Sequence, residues 1–89
     1  MICDRRPALI LSGRQFNEHG YTLMAMITKA EESQWYSDTP FDGRSVGLSV
    51  PCIVRMKLFT LDNSLILRRI GRLHEEDWAA VQENFRKIL

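Results

Sequence analysis

The sequence predicts a single small domain that is mainly β: a strongly bent sheet or small barrel with one C-terminal helix packed against it. Three observations predict this. The chain has 89 residues, the length of one domain. Most of it consists of short apolar runs separated by turn residues, some with a period of two. Its end, from Glu75 to Leu89, instead carries apolar residues at 3-4-3 spacing, the stripe of an amphipathic helix.

Each element follows from local chemistry. Ala8 to Leu11 (ALIL) is apolar throughout and bounded by Pro7 and Ser12-Gly13, which predicts a short buried strand. Pro7 lacks an N–H and has a fixed φ, so it suits a strand entrance. Gln15 to Gly20 (QFNEHG) has turn chemistry. Tyr21 to Thr28 (YTLMAMIT) predicts a second strand, with Leu23, Ala25 and Ile27 on one face. Thr22, Met24, Met26 and Thr28 fall on the other, and the two methionines imply that both faces are partly covered.

Lys29 to Ser45 is polar, holds Pro40 and Gly43, and is expected to form a long loop interrupted by Trp35, Tyr36 and Phe41. Loops this long inside a compact domain are usually functional. Short strands are expected at Val46 to Val50 and, after Pro51, at Cys52 to Met56. Phe59 to Ser64 is expected as a turn signalled by Asp62-Asn63, and Leu65 to Arg72 as the last strand. In the helix, Trp78, Val81, Phe85 and Ile88 share one face, and Trp78 and Phe85 are expected to be buried against the sheet. Glu75, Glu76 and Asp77 in its first turn and Arg86 and Lys87 in its last suit the helix dipole. His74 stands at the N-cap, where Ser, Thr, Asp or Asn would cap better.

Composition excludes some classes of function. The hydrophobic fraction of 45% and charged fraction of 26% are ordinary for a soluble globular domain. The net charge of +1 carries no whole-chain signature of nucleic-acid binding. The basic residues do cluster: Arg5, Arg6 and Arg14 early, then Arg55, Lys57, Arg68, Arg69 and Arg72. A solvated strand face accounts for such charges about equally well. The two cysteines, Cys3 and Cys52, lack metal-type spacing, so a reducing cytoplasm is the default and a bridge between them stays open. The apolar run near the N-terminus is too short for a signal-peptide core, and no stretch approaches transmembrane length. His19 and His74 have no nameable partner, and Glu31-Glu32 reads as a solvated pair. Trp35, Tyr36 and Phe41 could stack on bases in a single-strand groove or pin the loop to the core.

Four pieces in order carry a resemblance: Arg6 to Ser12 (RPALILS), a strand ending in Ile27-Thr28, Val54 to Asp62 (VRMKLFTLD), and Leu65 to Trp78 (LILRRIGRLHEEDW). Together they resemble the MazF/PemK-like family, the toxin halves of bacterial type II toxin–antitoxin pairs. The resemblance runs from about Arg5 to the C-terminus. It implies an SH3-like small barrel with a C-terminal helix, a homodimer acting in the cytoplasm, and an antitoxin protein as partner. It further implies metal-independent, cofactor-free, sequence-selective cleavage of single-stranded RNA by 2′-hydroxyl attack. The family's main catalytic arginine precedes the proline and corresponds to Arg6. Its second catalytic group, a threonine at the end of the next strand, corresponds to Thr28. Arg5, Arg14, Trp35, Arg55 and Lys57 are the candidate RNA-binding residues.

The chemistry suits these residues. A guanidinium presents fixed donors to phosphate oxygens and can stabilise the negative charge of a phosphorane. A threonine hydroxyl can donate to a nonbridging oxygen. Arginine is a poor general base, because its pKa lies above ~12.

The chain departs from the family pattern in two places. Members usually begin with a further strand and a Gly/Pro-containing loop, whereas only Met1 to Asp4 precede Arg5 here. The expectation is therefore an N-terminally truncated domain with an open strand edge. Some members also carry an acid shortly before the T-L-D stretch, where this chain has Val54-Arg55-Met56-Lys57, so the general base is unassigned. The competing readings are a catalytically silent member that binds RNA or an antitoxin, a gyrase-poisoning toxin of the same fold, and a small structural β-domain.

Overall fold

The computed structural model describes residues 2–3, 6–30 and 34–89, without the side chains of Ile2 and Cys3. The elements are β1 (Ile2–Cys3), β2 (Ala8–Ile10), α1 (Arg14–Asn17), β3 (Tyr21–Lys29), β4 (Thr39–Asp42), β5 (Pro51–Asp62), β6 (Arg69–Gly71) and α2 (Glu75–Lys87). Short 3-10 turns, Gly43–Val46 and Asn63–Leu65, follow β4 and β5. The strands form one antiparallel sheet in the order β4-β5-β3-β2-β1-β6, curled into a half-barrel.

The period of two in β3 divides the molecule. Ala25 and Ile27 point into the main core with Leu9, Phe41, Val46, Cys52, Val54, Leu73 and Val81. Met24 points the other way, into a smaller cluster with Ala8 that Ile10, Leu61 and Ile66 flank. Both faces are covered, as the two methionines predict. The helix lies over the β4 side of the core: Val81 is fully buried, and Asn84 Nδ2 donates to Thr39 Oγ1 at 2.6 Å. Trp78 and Phe85 are half-buried and Ile88 is exposed, so the stripe is covered around Val81 and opens towards the C-terminus.

One contact links the two ends of the half-barrel's sheet. The turn Gly43–Val46, which follows strand β4 at one end of the sheet, packs on β6 at the other. A Cβ on Gly71 would lie 2.9 Å from Val46 Cβ and 3.0 Å from Val46 Cγ1. The turn is capped by Asp42, whose carboxylate accepts from the Arg44 backbone N–H at 3.0 Å, and it ends at Gly47 with φ of 82°. The Arg44 side-chain and backbone donors hold the Asp42 carboxyl below the usual carboxylate range.

Several sequence expectations need correction. The expected loop from Lys29 to Ser45 contains strand β4, whose alternating Thr39 and Phe41 are buried. The segment Val46 to Val50 is not a strand, because the 3-10 turn ends there at a left-handed glycine. β5 runs on to Asp62 through the expected turn, since Tyr21 to Ala25 offer it a continuous partner. Only Arg69–Gly71 of the last predicted strand is extended. The turn at Gln15 to Gly20 begins as the helix α1, inside which no side chain is buried. The edge of β2 is not open: Ile2 pairs with Leu9 on β2, and Ile2 and Cys3 pair with Gly71 and Arg69 on β6. Cys52 is buried and its thiol free; burial, then the nearby Asp42 charge, raises its pKa.

Gly71→Ala is expected to destabilise the fold by about 1–3 kcal/mol through overpacking against Val46. Urea unfolding measures this, and adding Val46→Ala to the same chain should recover part of the loss.

Candidate functional site

The outward row of β3 forms the floor of a cleft of about 900 Å³. Met24 and Met26 lie at its base beside Ala8, with Phe59 and Leu61 from β5 alongside. Residues 64–67 overhang it, and Arg6 and Lys57 bring positive charge to it. Its lip is apolar and open, with Phe59, Leu65 and Leu67 all exposed.

The β2–β3 ladder ends near Arg6 and Thr28. Ala8 pairs with Met26, and the Ile27 N–H donates to the Pro7 carbonyl at 3.3 Å. Arg6 precedes that last contact in a bend, is exposed and lines the cleft. Thr28 shares the face of Met24 and Met26 by the alternation of the strand, and its side chain is half-buried.

Lys57 owes its place to an irregularity. Ala25 pairs with Leu58, but the next residue, Met26, pairs with Arg55, so Met56 and Lys57 have no partner on β3. Such bulges bend a strand and re-aim a side chain. Arg55 Cζ lies over the Trp35 ring, 5.0 Å from its centroid, and Lys57 Nζ lies 5.9 Å from it. Trp35 remains 48% exposed. Two cations therefore lie within cation–π range of one half-exposed ring.

The loop carrying Trp35 is fastened by Asp38. One carboxylate oxygen accepts from Arg55 Nη2 at 3.1 Å and from the Trp35 N–H at 2.9 Å. The other accepts from Arg55 Nε at 3.3 Å. The turn includes Ser37 at φ of 64°.

The match to known proteins agrees with this architecture. Residues 2–89 match the family of PemK-like, MazF-like toxins of type II toxin–antitoxin systems. The chain belongs to that family. A solved toxin structure from Mtb is similar to it at 25% identity and a TM-score of 0.80, over 98% of this chain and 96% of that one. The Mycobacterium tuberculosis toxin MazF-mt6 is similar at 25% identity and a TM-score of 0.79, over 97% and 90%. No curated protein matches the sequence.

For this PemK-like chain, the predicted site residues fall into groups. Arg6 and Lys57 line one cleft, Trp35 joins through Lys57, and Thr28 is half-buried on the outward row of β3. Arg55 adjoins them, but its guanidinium is committed to Asp38, with the two side chains only 13% and 8% exposed. Arg14 stands apart: it pairs with Glu18 at 3.3 Å and lines a separate cavity with Arg69, Arg72 and Trp78. Arg5 and Glu31-Glu32 lie outside the described residues. The three loop aromatics separate too: Phe41 is core, Tyr36 is exposed, and Trp35 stands between the two cations. The residue that sequence reading missed is Asp38. Its position three residues after Trp35 signals a side-chain-capped turn, but nothing local points to Arg55.

Trp35 next to two cations makes a directional prediction. Iodide should quench the intrinsic fluorescence more strongly than caesium, because the local field attracts anions and repels cations. Trp35→Phe should remove most of that difference, leaving Trp78 as the remaining emitter.

Proposed function

We propose that this chain is the RNA-cleaving toxin of a toxin–antitoxin pair: an endoribonuclease that cuts single-stranded RNA by attack of a 2′-hydroxyl on the adjacent phosphorus. The observation that carries the reading is the open cleft on the outward row of β3, which Arg6 and Lys57 line with positive charge. Family membership supports it. In this reaction the bond from phosphorus to the 5′-oxygen breaks, leaving a 2′,3′-cyclic phosphate and a 5′-hydroxyl. Arg6 stabilises the charge of the phosphorane and can protonate the departing oxygen. Thr28 donates to a nonbridging oxygen. Lys57 meets a flanking phosphate, and Trp35 stacks on a base, a contact worth ~1–3 kcal/mol.

The reading extends to partners. The exposed apolar lip of Phe59, Leu65 and Leu67 suits a second copy of the chain, which would narrow the cleft into a groove. The antitoxin partner expected of the family would bind this toxin and block the groove. The cytoplasm, where messenger RNA is translated, is the place of action; among the described residues no helix is long and apolar enough to cross a membrane. The alternative of a silent member draws its weight from a missing first strand; in this chain the two-residue β1 pairs with β2.

The decisive assay is cleavage of a long single-stranded RNA by the purified chain in EDTA. Sequence-selective cuts are expected, lost in Arg6→Ala and slowed roughly 10²–10³-fold in Thr28→Ala, the scale of one oxyanion donor. Uncut RNA with the dimeric chain would sink the proposal. The pH profile gives a second test. Among the described residues no carboxylate or histidine lines the cleft. The 2′-hydroxyl proton then leaves to solvent, and kcat should rise about tenfold per pH unit between about pH 6 and 8, without the plateau of a titrating base.

A further inference from the structure

We propose that Asp38 is a positioning residue for the RNA groove. It clamps Arg55 against Trp35, so that the indole ring and the Lys57 ammonium stand together as one subsite, stacking a base and meeting its phosphate. The inference rests on the RNA-cleaving reading above.

The geometry of the carboxylate carries it. Asp38 receives donors from two elements distant in sequence: the Trp35 N–H in its own loop at 2.9 Å, and two guanidinium nitrogens of Arg55 on β5 at 3.1 and 3.3 Å. The Asp38 N–H donates back to the Trp35 carbonyl at 3.3 Å, closing the turn. Both charged side chains are largely buried, so the pair is weakly screened and is costly to break on one side only.

What surrounds the clamp separates a positioning role from a plain loop staple. An aromatic that serves the core is buried, as Phe41 on β4 is at 6% exposure. Trp35 is instead held half-exposed, under the same Arg55 that Asp38 grips. Asp38 also neutralises Arg55, while no carboxylate among the described residues pairs with Lys57, whose ammonium is 5.9 Å from the same ring. Lys57 further lines the cleft that contains Arg6. One acid thus sorts two neighbouring cations into a structural one and a ligand-facing one. A single-stranded segment fits such a subsite because its bases are free to stack while its backbone stays anionic.

The test uses the full chain carrying Asp38→Asn, which keeps the side-chain shape and an acceptor for the Trp35 N–H but removes the charge. Far-UV circular dichroism first establishes that the variant is folded. KM for the cleaved RNA is expected to rise roughly tenfold, the loss of one stacked base, with kcat within about twofold of wild type. Binding of an RNA made uncleavable by 2′-deoxy substitution at the cut site should weaken by a similar factor. Iodide quenching of Trp35 should change in the absence of RNA.

Where Asp38→Asn fails to fold, Asp38→Asn with Arg55→Gln removes both buried charges together and is read against Arg55→Gln alone. Unchanged KM and unchanged Trp35 quenching in a folded variant would overturn the proposal. A drop in kcat at constant KM would also overturn it, since it would move Asp38 into the chemical step. Failure of the wild-type chain to bind the uncleavable RNA would bring down the RNA reading and this inference together. Wild-type binding with an indifferent Asp38→Asn would remove this inference alone.

Discussion

Pairing on both sides of β3 is the constraint on which the rest depends. This nine-residue strand pairs with β5 along its whole length and with β2 over Met24 to Met26. Its side chains can only go up or down. Down is the main core that α2 covers; up is the smaller cluster of Met24 and Ala8, beside which the cleft opens. The cleft is thus the second face of the strand that organises the core. Changing the register of β3 by one residue would exchange the two.

The charged residues are placed by the same frame. Arg6 precedes Pro7 at the entrance of β2, and it lines the cleft there. Arg55 and Lys57 come from the strand on the opposite side of β3, so the cleft gathers cations from two directions. The polar loop between β3 and β4 contributes Trp35. Its hold on the sheet is a carboxylate–guanidinium pair, where most of this small domain relies on apolar contact.

Legibility in the sequence tracked how local the cause was. The alternation in Tyr21 to Thr28 and the stripe in Glu75 to Leu89 are statements about neighbours in the chain, and both elements form with nearly the expected limits. β4 escaped because Thr39-Pro40-Phe41-Asp42 has only two inward positions and a proline that usually marks a loop. β5 was cut short because Asp62-Asn63 is a turn signal, and the turn it marks begins only there. β1 is two residues long and exists through its pairing with β2 and β6. At the site, family resemblance singles out Arg6 and Thr28, and an odd place in a polar loop singles out Trp35. Asp38 was not legible, because its partner lies 17 residues away and only the folded chain brings them together.

The bulge on β5 has a consequence for how this chain can vary. The insertion opposite β3 is two residues, Met56 and Lys57, and two is the repeat of a strand. Arg55, Lys57, Phe59 and Leu61 can therefore all keep to the cleft side while the strand bends between them. Removing both residues would straighten the strand and leave its faces intact. Removing one would leave either a one-residue bulge with a sharper local bend or a flip that sends Phe59 and Leu61 towards the core.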